Sequence, residues 1–108
     1  MSTSIDQVAG AFTRKVADNP ELTHSSVRIG LWLISLASKV GGFPVDVYAH
    51  HFANGYNVNG VRQAGVGARF DTTKKGIKEL EDAGLLMVEE GGRAKHAASN
   101  GRRFTIMV

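Results

Sequence analysis

The sequence predicts a small α+β domain, mostly α, in which helices precede a C-terminal β-hairpin. Three observations predict it. Apolar residues recur at three- and four-residue spacing over 4–17, 24–40 and 72–83. After Gly84 the pattern changes to short β-prone runs, "LLMVEE" and "FTIMV", the second alternating with period two. At 108 residues and 43% apolar composition, the chain can fill one modest core.

The elements follow in order. Ile5, Val8, Phe12 and Val16 make a one-sided stripe over 4–17, capped by Ser4 and stopped by "DNP" at 18–20. Such a helix must pack on something, either the rest of the chain or a second copy. Thr23 is a good N-cap for a helix over 24–40. Val27, Leu31, Ile34 and Ala37 form its stripe, and Ile29, Trp32, Leu33, Leu36 and Val40 widen it. A helix apolar nearly all round is expected at the centre. Gly41-Gly42 ends it, and "FPV" at 43–45 reads as a short extended piece, since proline pushes the preceding residue toward β. Asp46 is placed to cap a short helix, "VYAHHFAN", stopped by Gly55.

Residues 55–70, "GYNVNGVRQAGVGARF", carry glycines at 55, 60, 65 and 67. That is too many for a plain helix and too long for an ordinary connection. One or two helical turns over 58–64 fit within it. Asp71 or Thr72 is then expected to cap a helix over 72–83. Thr73, Ile77, Leu80 and Gly84 follow its inward spacing, with Gly84 as the left-handed residue past its end. The final hairpin has a polar, basic tip, and Phe104, Ile106 and Val108 are expected on one face of its second strand.

Charge is more informative in its distribution than in its total of +3. Residues 62–78 hold Arg62, Arg69, Lys74, Lys75 and Lys78 against one acid, Asp71. Residues 91–108 hold Arg93, Lys95, Arg102 and Arg103 and no acid. Between them lie Glu79, Glu81, Asp82, Glu89 and Glu90. Basic segments flanking an acidic one suggest a sided molecule, as a phosphate-backbone binder requires. In the helix over 72–83 the lysines stand in the first half and the acids in the second. The helix dipole favours the reverse order, by a few tenths of a kcal/mol per charge. A phosphate partner supplies a reason for this order.

Several classes are excluded or left without support. The absence of cysteine removes disulfides, thiolate metal sites and cysteine nucleophiles, and fits a reducing, cytoplasmic setting. No signal peptide is visible, and "VRIGLWLISLASKV" is short and carries Arg28, so it reads as a core helix and not a membrane span. His50 and His51 are adjacent and do not converge on a metal. Ser25 and Ser26 have no triad neighbours, and no catalytic set is assembled. The glycines of 55–70 fit neither a P-loop nor a strand-anchored dinucleotide motif. No enzyme, cofactor, metal or small-molecule ligand is therefore expected. Few aromatics are available for base stacking, which disfavours RNA.

The order α–β–α–α–β–β, with "KELEDAGLL" leading into a hairpin, resembles a winged helix-turn-helix. Thr72, Thr73, Ile77, Leu80, Gly84, Leu85 and Leu86 carry the resemblance, which spans roughly residues 23–108. It divides the chain into an N-terminal amphipathic helix and linker, 1–22, and a winged-helix DNA-binding domain, 23–108. The insertion over 55–70 departs from the family, whose turn there is a few residues. The second helix of the motif is thus either 47–53 with a long loop, or a stretch inside 58–68.

The resemblance implies sequence-specific binding of double-stranded DNA. The helix over 72–83 would enter the major groove with Thr72, Thr73, Lys74, Lys75 and Lys78. The wing, 91–103, would place Arg93, Lys95 and Arg102 on the adjacent backbone or minor groove. Arg62, Gln63 and Arg69 are expected near the DNA backbone, unless the loop only packs on the domain. One module gives limited affinity, so a homodimer or an array on repeated sites is expected, at the nucleoid. Domains of this kind are commonly transcriptional regulators, and some serve plasmid or phage replication, partition or excision. A protein–protein adaptor, with the same basic face on an acidic partner, is the expectation from another class.

Overall fold

The computed structural model describes residues 4–47, 52, 55–58, 60–67, 69–90 and 102–108. Among them are α1 (Ile5–Ala17), α2 (His24–Val40), β1 (Val45–Val47), β2 (Tyr56–Val58), β3 (Val61–Gln63), α3 (Phe70–Asp82), β4 (Leu86–Glu90) and β5 (Arg102–Ile106). The fold is α+β. Three helices pack with a three-stranded antiparallel sheet of order β1-β5-β4, and β2 and β3 form a separate two-stranded hairpin. No helix among the described residues is long and apolar enough to cross a membrane.

α1 begins with a capping box: the Ser4 hydroxyl accepts from Gln7 N–H, and the Gln7 side chain accepts from Ser4 N–H, both at 3.2 Å. Its stripe is taken up inside the chain. Phe12 is fully buried against α2 at Gly30, where a Cβ would lie 2.1 Å from Phe12 Cζ. α1 therefore does not offer that stripe to a second copy.

α2 is the central element, touching α1, α3, β1 and β5. Thr23 caps it, accepting from Ser26 N–H, and it ends at Gly41, whose φ of 101° is left-handed. Ile29, Leu33, Ile34, Leu36 and Ala37 are buried, but Leu31 and Val40, expected on the inward face, are about half exposed. The apolar surface of α2 exceeds what its neighbours cover.

The sheet closes the other side of the core. Strand β1 runs over Val45–Val47, so Asp46 lies within a strand and caps no helix. Of the helix expected over 47–54, Phe52 alone is described past the strand; it is buried, tilted against Trp32 at 4.8 Å and edge-on to Phe104 at 5.4 Å. Phe104 and Ile106 are buried as the alternation requires, while Val108 lies past the strand and is exposed.

The segment 55–70 departs most from expectation. The described residues of 58–64 form no helical turns. β2 and β3 pair antiparallel with Val58 opposite Val61, two positions of the sequence, 59 and 60, separating the pair, of which Gly60 is described. Asn-Gly between β-prone residues is the strongest short-range hairpin signal, and Gly60 takes the positive φ (80°) such a loop requires. Placing the motif's second helix inside 58–68 is thereby corrected, since β3 occupies Val61–Gln63.

Candidate nucleic-acid interface

α3 starts earlier than the capping residues suggest. Arg69 is its N-cap with no side-chain cap bond, and neither Asp71 nor Thr72 caps it. Asp71 lies instead in the first turn, where the positive end of the dipole favours its charge. The C-terminus closes as a Schellman motif: Gly84 N–H donates to Glu81 O (3.0 Å) and Leu85 N–H to Leu80 O (2.9 Å), with Gly84 at φ 76°.

The inward face of α3 is fully committed. Leu80 is buried, and Ile77 packs against the core. Gly76 lets the helix axis approach α2: a Cβ there would lie 2.5 Å from Ile29 Cδ1 and 3.3 Å from Ser26 Cα. Thr73 is 3% exposed, and its hydroxyl donates to Arg69 O at 2.9 Å. Its expected place among DNA-contacting residues is corrected: the spacing that puts Ile77 and Leu80 inward puts Thr73 there too.

Glu79, one of the acids of the second half of α3, turns toward the start of α2. It accepts from Thr23 N–H (2.5 Å) and from the hydroxyls of Ser26 (3.0 Å) and Thr23 (3.4 Å). The Thr23 amide chiefly, with the two hydroxyls, holds its carboxyl below the ordinary value, against the opposing effect of burial. α2 has no acid in its own first turn, and Glu79 supplies one from α3. Part of the unusual charge order of α3 thus has an internal cause.

Lys74, Lys75 and Lys78 remain on the outward face, all exposed. Lys78 makes a solvent-exposed i,i+4 ion pair with Asp82 at 3.7 Å, worth about 0.3–0.5 kcal/mol. Asp71, Glu81 and Asp82 share the exposed surface, and Thr72 is half-buried. Arg69 is exposed just before the helix.

Arg62 is exposed on β3, across from exposed Asn57. Gln63 is engaged within the fold: its carbonyl oxygen accepts from Lys39 Nζ, and its amide nitrogen donates to Val61 O at 3.3 Å. These bonds hold Gln63 at the base of the hairpin, and the first brings Lys39, not expected at the interface, to the same place. Past the hairpin the chain is strapped to α2, with Trp32 Nε1 donating to Ala64 O (3.0 Å) and Arg28 Nε to Val66 O.

Of the wing, Arg93 and Lys95 lie outside the described residues. Arg102 is exposed at the start of β5, on the face of Phe104 and Ile106. Arg103 points the other way. It bonds Asp46 at 3.1 Å and stands opposite Glu89, a cross-strand acid–base–acid row.

An open groove of about 670 Å³, lined by Val16, Leu22, Val27, Leu31 and Trp32 among others, lies between the end of α1 and α2. Among the described residues no three His, Asp or Glu side chains gather as metal ligands would. Compared with known proteins, the chain matches no family model, no curated protein and no solved structure.

Proposed function

We propose that this chain binds double-stranded DNA as a winged helix, with α3 as the helix that enters the major groove. The observation that carries the reading is the division of α3 into two faces. Thr73, Gly76, Ile77 and Leu80 serve the fold, Glu79 serves α2, and three exposed lysines stand outward near the first turn, the end of a helix whose N–H groups lack intrahelical partners. The topology supports it. A short strand after α2 pairs with the last strand, which pairs with the strand leaving α3, in the order β1-β5-β4. In a winged helix that arrangement presents the helix before the hairpin to DNA.

Within this reading Lys75 and Lys78 contact phosphates or guanine edges, and Thr72 lies at the entry of the helix. The biological setting is regulation of transcription, or an accessory role in plasmid or phage replication, partition or excision. The site chemistry is the same for each.

The test is duplex binding measured against salt. The wild type binds random duplex at low salt and weakens with a log–log slope of about −0.9 per phosphate contact. Lys75→Ala weakens binding and reduces that slope by about one unit with no change in fold. If the wild type leaves duplex unbound at low salt, the basic face of α3 belongs to an acidic protein partner instead. Selection from random DNA then gives the recognised sequence and the spacing of any half-sites.

A further inference from the structure

We propose that the β2–β3 hairpin is a second DNA contact, lying on the sugar–phosphate backbone beside the groove that α3 enters, with Arg62 as its phosphate ligand and Lys39 adding charge at its base. The proposal rests on the DNA-binding reading of α3 and carries it to a separate element.

Placement is the first argument. The chain from Gln63 to Glu79 runs back along α2. Lys39 meets Gln63, Trp32 meets Ala64, and Arg28 meets Val66. Gly76 then lies on Ser26 and Ile29, and Glu79 on Thr23. At about 1.5 Å of rise per residue, these anchors span about 24 Å of α2. The hairpin stands at the C-terminal end of that line, and the lysine-bearing half of α3 follows it. Lys39, Arg62, Arg69, Lys74, Lys75 and Lys78 are all exposed, and Asp71 is the one carboxylate between residues 55 and 78. An extended row of cations suits a backbone that presents a phosphate charge every ~1.7 Å of duplex axis.

Rigidity is the second. The bonds from α2 fix the base of the hairpin, and Val66 N–H donates to Phe52 O at 2.8 Å just past it. Gly55 packs so tightly that a Cβ would lie 2.2 Å from Gln63 O. Among the described residues, the hairpin beyond its base has no extensive contact with a helix or with the main sheet. Arg62 and Asn57 share one exposed face, and Val61 at the tip is 61% exposed. A ribbon held this firmly at its base, with Arg62 on an exposed face, is pre-organised for a partner. Asn57 adds amide donors beside the Arg62 guanidinium, a pairing suited to phosphate oxygens.

The test compares wild type, Arg62→Ala, Arg62→Lys and Lys75→Ala by salt-dependent duplex binding and hydroxyl-radical footprinting, with thermal unfolding as the check on fold. Arg62→Ala is expected to reduce the log–log slope by about one unit and to remove protection at one edge of the footprint. Arg62→Lys keeps the slope. If Arg62→Ala changes neither slope nor footprint while Lys75→Ala reduces the slope, the hairpin is not a contact and the reading of α3 stands. Should the wild type not bind duplex at all, both readings fall. If Arg62→Ala unfolds the chain, Asn57→Asp, which puts a negative charge on the same face, replaces it. Weaker binding at unchanged melting temperature supports the proposal, and unchanged binding overturns it.

Discussion

Glu79 shows how charge along a helix leaves the partner of one residue unspecified. On a helical wheel it belongs to an acidic cluster, and the distant N-terminus of α2 is invisible in the sequence. In the fold it is the acid that α2 lacks, bonded to Thr23 N–H and the Ser26 hydroxyl. Its carboxyl is held below the ordinary value of 4.5. A depressed carboxylate pKa stabilises the fold above the unfolded-state value, and that stabilisation is lost as pH falls through the folded-state value. Glu79→Gln is therefore expected to lower stability by about 1 kcal/mol at neutral pH, the range of a bond to a partly exposed charged group. The gap between variant and wild type should close as pH drops below the carboxylate range. Urea unfolding of both proteins from pH 7 downward measures it, and a gap that stays constant across the whole acid range would show that shape, not charge, makes the contribution.

Among the elements, α3 was the most legible and the hairpin the least. Ile77 and Leu80 announce the inward face of α3, and Gly84 its end, because each depends on local periodicity or a local φ. The start of α3 was misplaced because Arg69 caps by backbone conformation alone, with no side-chain bond to signal it. The sequence marks the hairpin with Asn59-Gly60, but the glycine density of 55–70 masks the β-prone residues on either side. The lysines of the candidate interface were legible, while Lys39 was not, since it reaches the hairpin only through Gln63. Gly76 carries a conflict that the sequence cannot rank. In an exposed helix, Gly→Ala gains about 1 kcal/mol of propensity. Here the new Cβ meets Ile29 Cδ1 at 2.5 Å and the Ser26 backbone at 3.3 Å. Overpacking of this kind costs about 1–3 kcal/mol. Because Ile29 is fully buried and the Ser26 backbone closes the other side, the Ile29 side chain has little room to yield, so steric cost should win, and Gly76→Ala is expected to be net destabilising by about 1 kcal/mol in chemical denaturation. A stabilised variant would mean that α2 and α3 cross less closely.

At the scale of the whole molecule, the boundary between an N-terminal helix and the remainder is written in the sequence as "DNP", a stop signal that says nothing of packing. α1 folds back so that Phe12 occupies the space over Gly30, and Val8 joins the same buried cluster as Leu33 and Phe104. Removing a buried Phe typically costs about 3–5 kcal/mol, against a total stability of about 5–15 kcal/mol for a domain. Phe12→Ala should therefore lower the stability of the entire chain, not of α1 alone. Trp32 is the single tryptophan and packs on Phe52, so its fluorescence reports the core across α2. In the wild type the unfolding curves from Trp32 fluorescence and far-UV circular dichroism should coincide, as one cooperative unit requires. Phe12→Ala should move both midpoints together. A variant whose Trp32 transition stays in place while helical signal is lost early would make α1 a separately stable unit, free to pack elsewhere. The ridge that Phe12 vacates then supplies a second check: Gly30→Ala, which drives a Cβ into the Phe12 ring, should cost less stability in the Phe12→Ala background than in the wild type, a non-additivity expected only of residues in direct contact.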